Sequence, residues 1–166
     1  DVPNVAARQL VSGRSGFVGF VLPIRGPNFV DSYLGDFITG LGEGLVEHGV
    51  DLLIATAQSS QSELDVLKPA VESGRVDGVV VPRDAENDER LRYLIEHDFP
   101  FIGHGRLLDE GKDHNWLDSD GGAAFAEAFE MLYGLGHRHF GLVSITDPMT
   151  FRHLRELGLR EAIVKR

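Results

Sequence analysis

The sequence predicts an α/β fold in which helices cover both faces of a doubly wound parallel sheet. One observation is that short, almost wholly apolar runs recur along the chain, as in GFVGFVLP at 16–23 and VDGVVVP at 76–82. Such runs are typical of strands that are buried on both faces. The other observation is that longer segments with the apolar spacing of amphipathic helices separate these runs. Strands that alternate with helices predict parallel pairing.

Each predicted element follows from its own local pattern. Strands are predicted at 16–23, 50–55, 76–82, 99–102, 114–117 and 139–145. Helices are predicted where apolar side chains recur three and four residues apart. Gly74 ends the second helix, one of Asp118, Ser119 and Asp120 caps the fourth, and a last helix opens at Asp147-Pro148. The apolar faces of the five helices are Leu34, Phe37, Ile38, Leu41 and Leu45; Leu64, Leu67 and Val71; Leu91, Leu94 and Ile95; Phe125, Phe129 and Leu132; and Leu154, Leu157 and Ile163.

Composition restricts the classes of function. A formal net charge of -10 over 166 residues argues against non-specific attraction of nucleic acid to the body of the chain, because that attraction neutralises phosphates with Lys and Arg. The chain has no cysteine, so disulfides and thiolate metal sites are excluded. No apolar run is long enough to span a membrane, and the first residues lack the plan of an export signal, which predicts a soluble cytoplasmic protein.

Catalytic motifs are missing from the sequence. It contains no nucleophile elbow, no phosphate-binding glycine turn directly after a strand, and no constellation that sets up an acid–base pair. The seven histidines are scattered, so neither a metal nor a cofactor is predicted. These absences favour a binding module over an enzyme.

The loops that follow the strands are where a ligand is expected, because parallel α/β sheets bind ligands beyond the carboxyl ends of their strands. Arg83 directly follows the third strand, and Trp116 lies in the short strand before Asp118. Gly103-His104-Gly105-Arg106 follows the fourth strand, and its glycines would let backbone approach a ligand. Arg106 fits either a ligand contact or a surface loop, and Asp118 fits a helix cap as well as a ligand contact.

Ordered motifs along the chain resemble the lactose-repressor/galactose-repressor family of transcription regulators. PNVAARQL at 3–10, GRS at 13–15 and the strand GFVGFVLP resemble that family's hinge helix and first strand. Three later motifs of the family are also resembled in order: by LDS with GA at 117–123, by GHR with GLV at 136–143, and by R with GLR at 155–160. Ser119 and Leu159 depart from the usual Asn and Phe, and the loop 24–32 is longer than usual. The motifs nevertheless cover nearly the whole chain.

The resemblance implies a protein of three parts. A helix-turn-helix head reads operator DNA, a hinge helix enters the minor groove, and a two-lobed body like a periplasmic sugar-binding protein senses a small polar effector such as a carbohydrate. Residues 1–15 would be the hinge segment, 16–136 the first lobe, and 137–166 the start of a second lobe that is mostly absent, as is the head. The regulator would be a homodimer whose operator affinity depends on the effector.

The resemblance also implies roles for individual residues. Leu10 matches the hinge leucine that wedges between base steps of the minor groove, and Arg8 lies in the same segment. Arg155 matches an arginine that contacts the effector, whose fork of donors suits paired hydroxyls or a carboxylate. Tyr33 and Asp118 align with cleft positions. Arg83 and Trp116 are added because of their place at strand ends. The predicted effector site is therefore Tyr33, Arg83, Trp116, Asp118 and Arg155.

A second class of function fits the same fold. A solute-binding protein that delivers a sugar to a transporter would carry an export signal in place of NVAARQLVSGR, so the N-terminal segment favours the regulator. Because the helix of that segment is short and has little to pack against, we expect it to be mobile without DNA. An enzyme on this fold ranks third.

Overall fold

The computed structural model of the chain describes residues 13–24, 32–58, 60–108 and 114–166. The predicted hinge helix, with Arg8 and Leu10, lies outside these residues, so the expectation that it is mobile without DNA stays a prediction. The described elements in chain order are β1 (Phe17–Pro23), α1 (Ser32–Glu47), β2 (Asp51–Ala57), α2 (Glu63–Glu72), β3 (Gly78–Pro82), α3 (Glu89–Glu96), β4 (Phe101–His104), β5 (Trp116–Leu117), α4 (Gly121–Gly134) and α5 (Thr150–Val164).

The strands form one sheet in the order β2-β1-β3-β4-β5. β1 pairs in parallel with both β2 and β3, so that Phe20 lies opposite Ile54 on one side and Val80 on the other. β4 pairs in parallel with β5, with Gly103 opposite Trp116. The predicted α/β class with a parallel sheet is therefore confirmed, and β1 has a neighbouring strand on each side.

The described residues divide into two compact units. Unit 1 comprises the described residues up to Pro82 together with Glu89–Ile102, and unit 2 comprises Arg83–Asp88 and Gly103–Arg166. The lobe limits that the resemblance implies, 16–136 and 137–166, stay predictions.

The core of unit 1 explains why the runs in β1 and β3 are apolar on both faces. Phe20, Leu34 and Val80 form a buried cluster on the α1 face of the sheet, joined by half-buried side chains of β1 and α1. Successive strand residues point to opposite faces, so Val21 and Val81, which are also buried, point to the other face. Helix α2 contacts β1 and β2 and supplies the buried side chain of Leu67. Helix α3 packs against α2, and its Leu91 and Leu94 are fully buried.

The helices of unit 2 are α4 and α5, which pack against each other. Asp120 is the N-cap of α4, since its Oδ1 accepts a hydrogen bond from the backbone N–H of Ala123 at 2.9 Å. Of the three candidate caps in the sequence, the third is therefore used, which leaves the Asp118 carboxylate for another contact.

The predicted strand at 139–145 is wrong. These residues have no strand partner among the described residues, and Leu142, Val143 and Ile145 are exposed, Val143 to 98%. Phe140 is half-buried, with its ring centroid 4.9 Å from that of Phe129. The apolar run is present in the sequence, but a strand also needs a neighbouring backbone with which to exchange hydrogen bonds.

None of the described helices is long and apolar enough to cross a membrane.

Candidate functional site

Arg83 directly follows β3 and occupies a strained backbone conformation. Its φ is 55°, in the left-handed region that a residue with a side chain rarely adopts. Such a conformation costs of the order of 1–2 kcal/mol and persists only where surrounding contacts enforce it. The side chain is half-buried. Because β3 ends at Pro82, the strained residue lies at the end of the strand where a ligand is predicted.

Asp84, the next residue, has a fully buried carboxylate that faces His114. The distance from its Oδ2 to the Nε2 atom of His114 is 3.8 Å, and the exposed fractions of the two side chains are 0% and 3%. Two glycines make room for this pair. An ideal Cβ on Gly103 would lie 2.6 Å from Asp84 Oδ2, and one on Gly105, whose φ is 137°, would lie 3.1 Å from Asp84 Cβ. The glycines predicted to admit a ligand therefore admit the Asp84–His114 pair instead.

Arg106, Trp116 and Asp118 form a cluster in and directly after the strands β4 and β5. The guanidinium carbon of Arg106 lies 5.4 Å from the centre of the Trp116 ring, and its Nε lies 3.3 Å from Asp118 Oδ2. The Asp118 side chain is only 10% exposed, whereas Trp116 is 46% exposed. A half-exposed aromatic face thus lies beside a paired cation and anion, which together supply donors and acceptors.

His104 lies within the reach of the same charges. Its partial burial lowers the pKa of the imidazole, the Asp118 carboxylate opposes that shift, and Arg83 adds to it. Since the ordinary pKa of histidine is near 6.5, a lowered value leaves the ring neutral at pH 7. A neutral imidazole has one donor and one acceptor nitrogen, which suits a hydroxyl group.

Arg155 of α5 lies against the start of α4. Its guanidinium carbon is 4.7 Å from the centre of the Phe151 ring and 5.7 Å from that of Phe125. An ideal Cβ on Gly121 would lie 3.0 Å from Arg155 Cγ, so glycine at this position lets the arginine stem pass over the first turn of α4. Arg155 is therefore next to the segment that follows Asp118.

The segment after β3 holds the beginning of α5. The Asp84 carbonyl accepts hydrogen bonds from the backbone N–H of Thr150 at 3.0 Å and from its Oγ1 at 3.1 Å. The Glu86 N–H donates to the carbonyl of Pro148 at 3.0 Å. Asp84 thus contacts two segments at once. Its carboxylate faces His114, just before β5, and its backbone carbonyl binds Thr150, the first residue of α5.

A cavity of about 430 Å³ lies along α4 and α5. Its lining includes Ala123, Ala126, Leu154 and Leu157, together with Arg106. The volume is within the range of small-molecule sites. Arg106 therefore borders both the cavity and the Trp116–Asp118 cluster.

Of the predicted site, Trp116 and Asp118 lie together at Arg106, and Arg83 lies close enough to His104 to lower the pKa of its imidazole. Tyr33 lies in unit 1, in the first turn of α1, and is 52% exposed. The predicted contacts of all five residues with an effector stay predictions, and the two hinge residues lie outside the described chain. Among the described residues, no group of three or more His, Asp or Glu side chains could hold a metal ion.

Arg106 lies beside Trp116 and Asp118, and His104 lies within reach of the Asp118 charge, yet neither is among the five residues of the predicted site. Both stand directly after the fourth strand, in GHGR, so the rule that ligands bind beyond carboxyl ends was enough to include them. The role of Asp84 as the partner of His114 had no local signal, because the two residues are 30 positions apart and meet only when the strands pair.

No protein-family model matches the chain. A curated protein that it resembles is the HTH-type transcriptional regulator AglR of Rhizobium meliloti (strain 1021), which is 32% identical over 164 residues, covering 99% of this chain and 46% of that protein. The crystal structure of a regulatory protein of LacI family from Chloroflexus aggregans matches with a TM-score of 0.80 and 27% identity, over 91% of this chain and 53% of that one.

A third comparison includes a bound sugar. The structure of the transcriptional regulator CelR in a complex with cellobiose matches with a TM-score of 0.80 over 99% of this chain and 54% of that one. At 24% identity this likeness supports the fold. The chain spans about half the length of each protein that it matches here.

Proposed function

Because the chain belongs to the lactose-repressor/galactose-repressor (LacI) family of transcription regulators, we propose that it senses a small carbohydrate effector and couples its binding to operator affinity. In the intact regulator a helix-turn-helix head reads the operator, and residues 1–15 form the hinge. The effector binds between two lobes, of which residues 137–166 begin the second. The regulator acts as a homodimer in the cytoplasm.

The observation that carries this proposal is the Arg106–Trp116–Asp118 cluster. Sugars offer apolar C–H faces edged by hydroxyl groups, and a half-exposed indole beside charged hydrogen-bonding groups is complementary to both features. The neutral His104 adds a donor and an acceptor next to Asp118. Arg155, whose guanidinium lies over Phe151, adds a fork of donors from α5.

The charges of the cluster favour a neutral sugar over a sugar phosphate. Arg106 is already paired with the Asp118 carboxylate, and a buried Asp84 carboxylate lies in the same unit. A phosphate group, which carries up to two negative charges, would be repelled by these carboxylates. The net charge of the chain, -10, acts in the same direction.

Coupling to DNA requires that the effector bind two arrangements of the lobes with different affinity. We propose that Arg155 contributes this difference, because it stands in the second predicted lobe and reaches the effector from there. Leu10 of each protomer enters the minor groove only when the two hinge segments have the right separation. Coupling of this kind is typically ~1–3 kcal/mol, or roughly 5- to 150-fold in DNA affinity.

The test is a pair of titrations on the intact regulator. Neutral and phosphorylated mono- and disaccharides are screened by calorimetry, and operator DNA selected from a random pool is titrated by fluorescence anisotropy at fixed salt. Arg155→Ala should abolish the response to the sugar and leave sugar-free operator binding nearly unchanged. Arg152→Ala, on the same helix and paired with Glu156, is the matched control. Leu10→Ala should weaken operator binding and spare sugar affinity.

The alternative function, a solute-binding protein for a sugar transporter, gives a different result. It would bind a sugar with no effect on DNA and no affinity for an operator. If Arg155→Ala responds to the sugar like the parent, the assignment of the effector site is wrong.

A further inference from the structure

Asp77 holds the backbone at the point where the N-terminal segment joins the sheet. One carboxylate oxygen, Oδ1, accepts a hydrogen bond from the backbone N–H of Ser15 at 2.6 Å. The other, Oδ2, accepts one from the N–H of Gly16 at 2.7 Å. Two short hydrogen bonds from consecutive amides to one carboxylate are of the charge-assisted, stronger kind, so Asp77 clamps this junction.

The same junction is held from both neighbouring strands. The N–H of Asp77 donates to the carbonyl of Phe17 at 2.8 Å, and the N–H of Asp51 donates to the carbonyl of Gly16 at 2.9 Å. Ser15 adds a local contact, because its Oγ accepts from the N–H of Phe17 at 3.1 Å. Main-chain contacts of this kind are available to any residue at positions 51 and 77, whereas the two bonds to the carboxylate require an acidic side chain at 77.

The electrostatics of Asp77 agree with this geometry. Partial burial acts to raise the pKa of its carboxyl, but the hydrogen bonds from Ser15 and Gly16 and the positive charge of Arg14 lower it, and the net shift is downward. The ionised form is thus the one that the fold stabilises.

Glycines turn the backbone at the clamp and just before it. Gly16 has a φ of 79° and Gly13 a φ of 66°, a region in which a residue with a side chain is strained. The two amides can face one carboxylate because the chain turns at Gly16. Residues 13–16 therefore have a defined path into β1, and the carboxylate at the start of β3 maintains it.

We propose that Asp77 is a positioning residue for DNA binding, which fixes the direction in which the hinge segment leaves the sheet. The inference rests on the proposed function, since it takes residues 1–15 to be the hinge. β3 begins one residue after Asp77 and ends at Pro82, next to Arg83 of the effector site. One short strand thus carries the hinge clamp at its amino end and an effector-site residue at its carboxyl end.

The experiment replaces the carboxylate without changing its shape. Asp77→Asn keeps one acceptor and turns an amide N–H₂ towards the second backbone donor. Asp51→Asn is the matched control, because it removes the same charge at the start of the neighbouring strand, where the side chain is exposed. Asp77→Ser, which offers one smaller acceptor, is a second variant in case the first does not fold.

The first readout is amide hydrogen exchange in the chain of 166 residues. Exchange at Ser15 and Gly16 should be roughly tenfold faster in Asp77→Asn than in the parent or in Asp51→Asn. The second readout is operator affinity of the intact regulator, which should fall roughly tenfold. Sugar affinity should remain that of the control while operator affinity falls, a separation that a purely structural role, which would weaken both, would not give.

The outcomes separate the inference from the proposed function. Operator binding by Asp77→Asn or Asp77→Ser at the parent's affinity overturns the positioning role alone. An equal loss of operator affinity in Asp51→Asn overturns it as well, since charge and not position would then be the cause. A parent that binds no operator in any sugar condition overturns the proposed function and this inference together.

Discussion

Gly158 of α5 lies against Gly122 of α4 with no room for a side chain between them. An ideal Cβ on Gly158 would lie 2.6 Å from the Cα atom of Gly122, and one on Gly122 would lie 3.3 Å from the carbonyl oxygen of Leu154. The backbones of the two helices therefore meet at this point, and neither glycine can be replaced unless the helices move apart.

Gly158→Ala should accordingly destabilise the protein, although alanine is the better helix former. Backbone cannot yield as a flexible side chain can, so we expect a loss of about 1–3 kcal/mol in the free energy of unfolding. Urea denaturation measures it. The control is Gly44→Ala in α1, where no atom lies within 4 Å of the added Cβ and a gain of up to ~1 kcal/mol is expected. A neutral or stabilising Gly158→Ala would show that α4 and α5 do not pack this closely in solution.

Removing the buried Asp84 carboxylate should be more damaging than removing an exposed one. Asp84→Ala leaves the buried His114 ring without the carboxylate that faces it, and leaving a buried polar group without its partner costs about 1–3 kcal/mol. Asp36→Ala, an exposed change in α1, should stay within about 0.5 kcal/mol. Equal unfolding midpoints for the two variants would contradict the pairing of Asp84 with His114.

Acid should destabilise the fold in part through His104. The pKa of His104 is lowered in the folded state, chiefly by burial, so the unfolded chain takes up a proton near pH 6.5 before the folded chain does. The stability contributed by the neutral ring is therefore complete above pH 6.5 and is lost as the pH falls through the lowered pKa. Between pH 7.5 and 5.5, His104→Gln should lose less unfolding free energy than the parent. His153→Gln, an exposed change, should follow the parent.

Trp116→Ala should weaken sugar binding and leave the fold nearly intact. If stacking on a sugar contributes as much as stacking between two aromatic rings, about 0.5–1.5 kcal/mol beyond the buried area, affinity should fall roughly 2- to 12-fold. Because the ring is 46% exposed, the melting temperature should change little. Trp116→Phe keeps an aromatic face and most of the affinity, and Leu117→Ala, its exposed neighbour, is the control. Calorimetry with the sugar selected in the screen measures all three, and unchanged affinity in Trp116→Ala would remove the ring from the site.

The parts of the fold that follow from local pattern were predictable. Leu34 and Phe37 mark α1 by their helical spacing, and the apolar residues on both faces of β1 predict a strand with helices on either side. The choice of Arg83 and Trp116 follows from their position at strand ends, whereas that of Asp118 follows from the family resemblance. Such signals lie within ten residues or so of one another, and they act before the chain is folded.

The sequence by itself therefore determined the α/β class, the helices and the strand ends at which we propose the site, because side-chain period and turn residues act locally. Tertiary structure alone decided the rest. It brought Asp84 to His114, so that Gly103 and Gly105 accommodate that pair, and it brought Arg106 between Trp116 and Asp118. It also left 139–145 without a strand partner although the segment has a strand's composition. The physical reason is that a pair interaction and a sheet hydrogen bond both need a second segment at the right distance, and no local pattern specifies which segment that is.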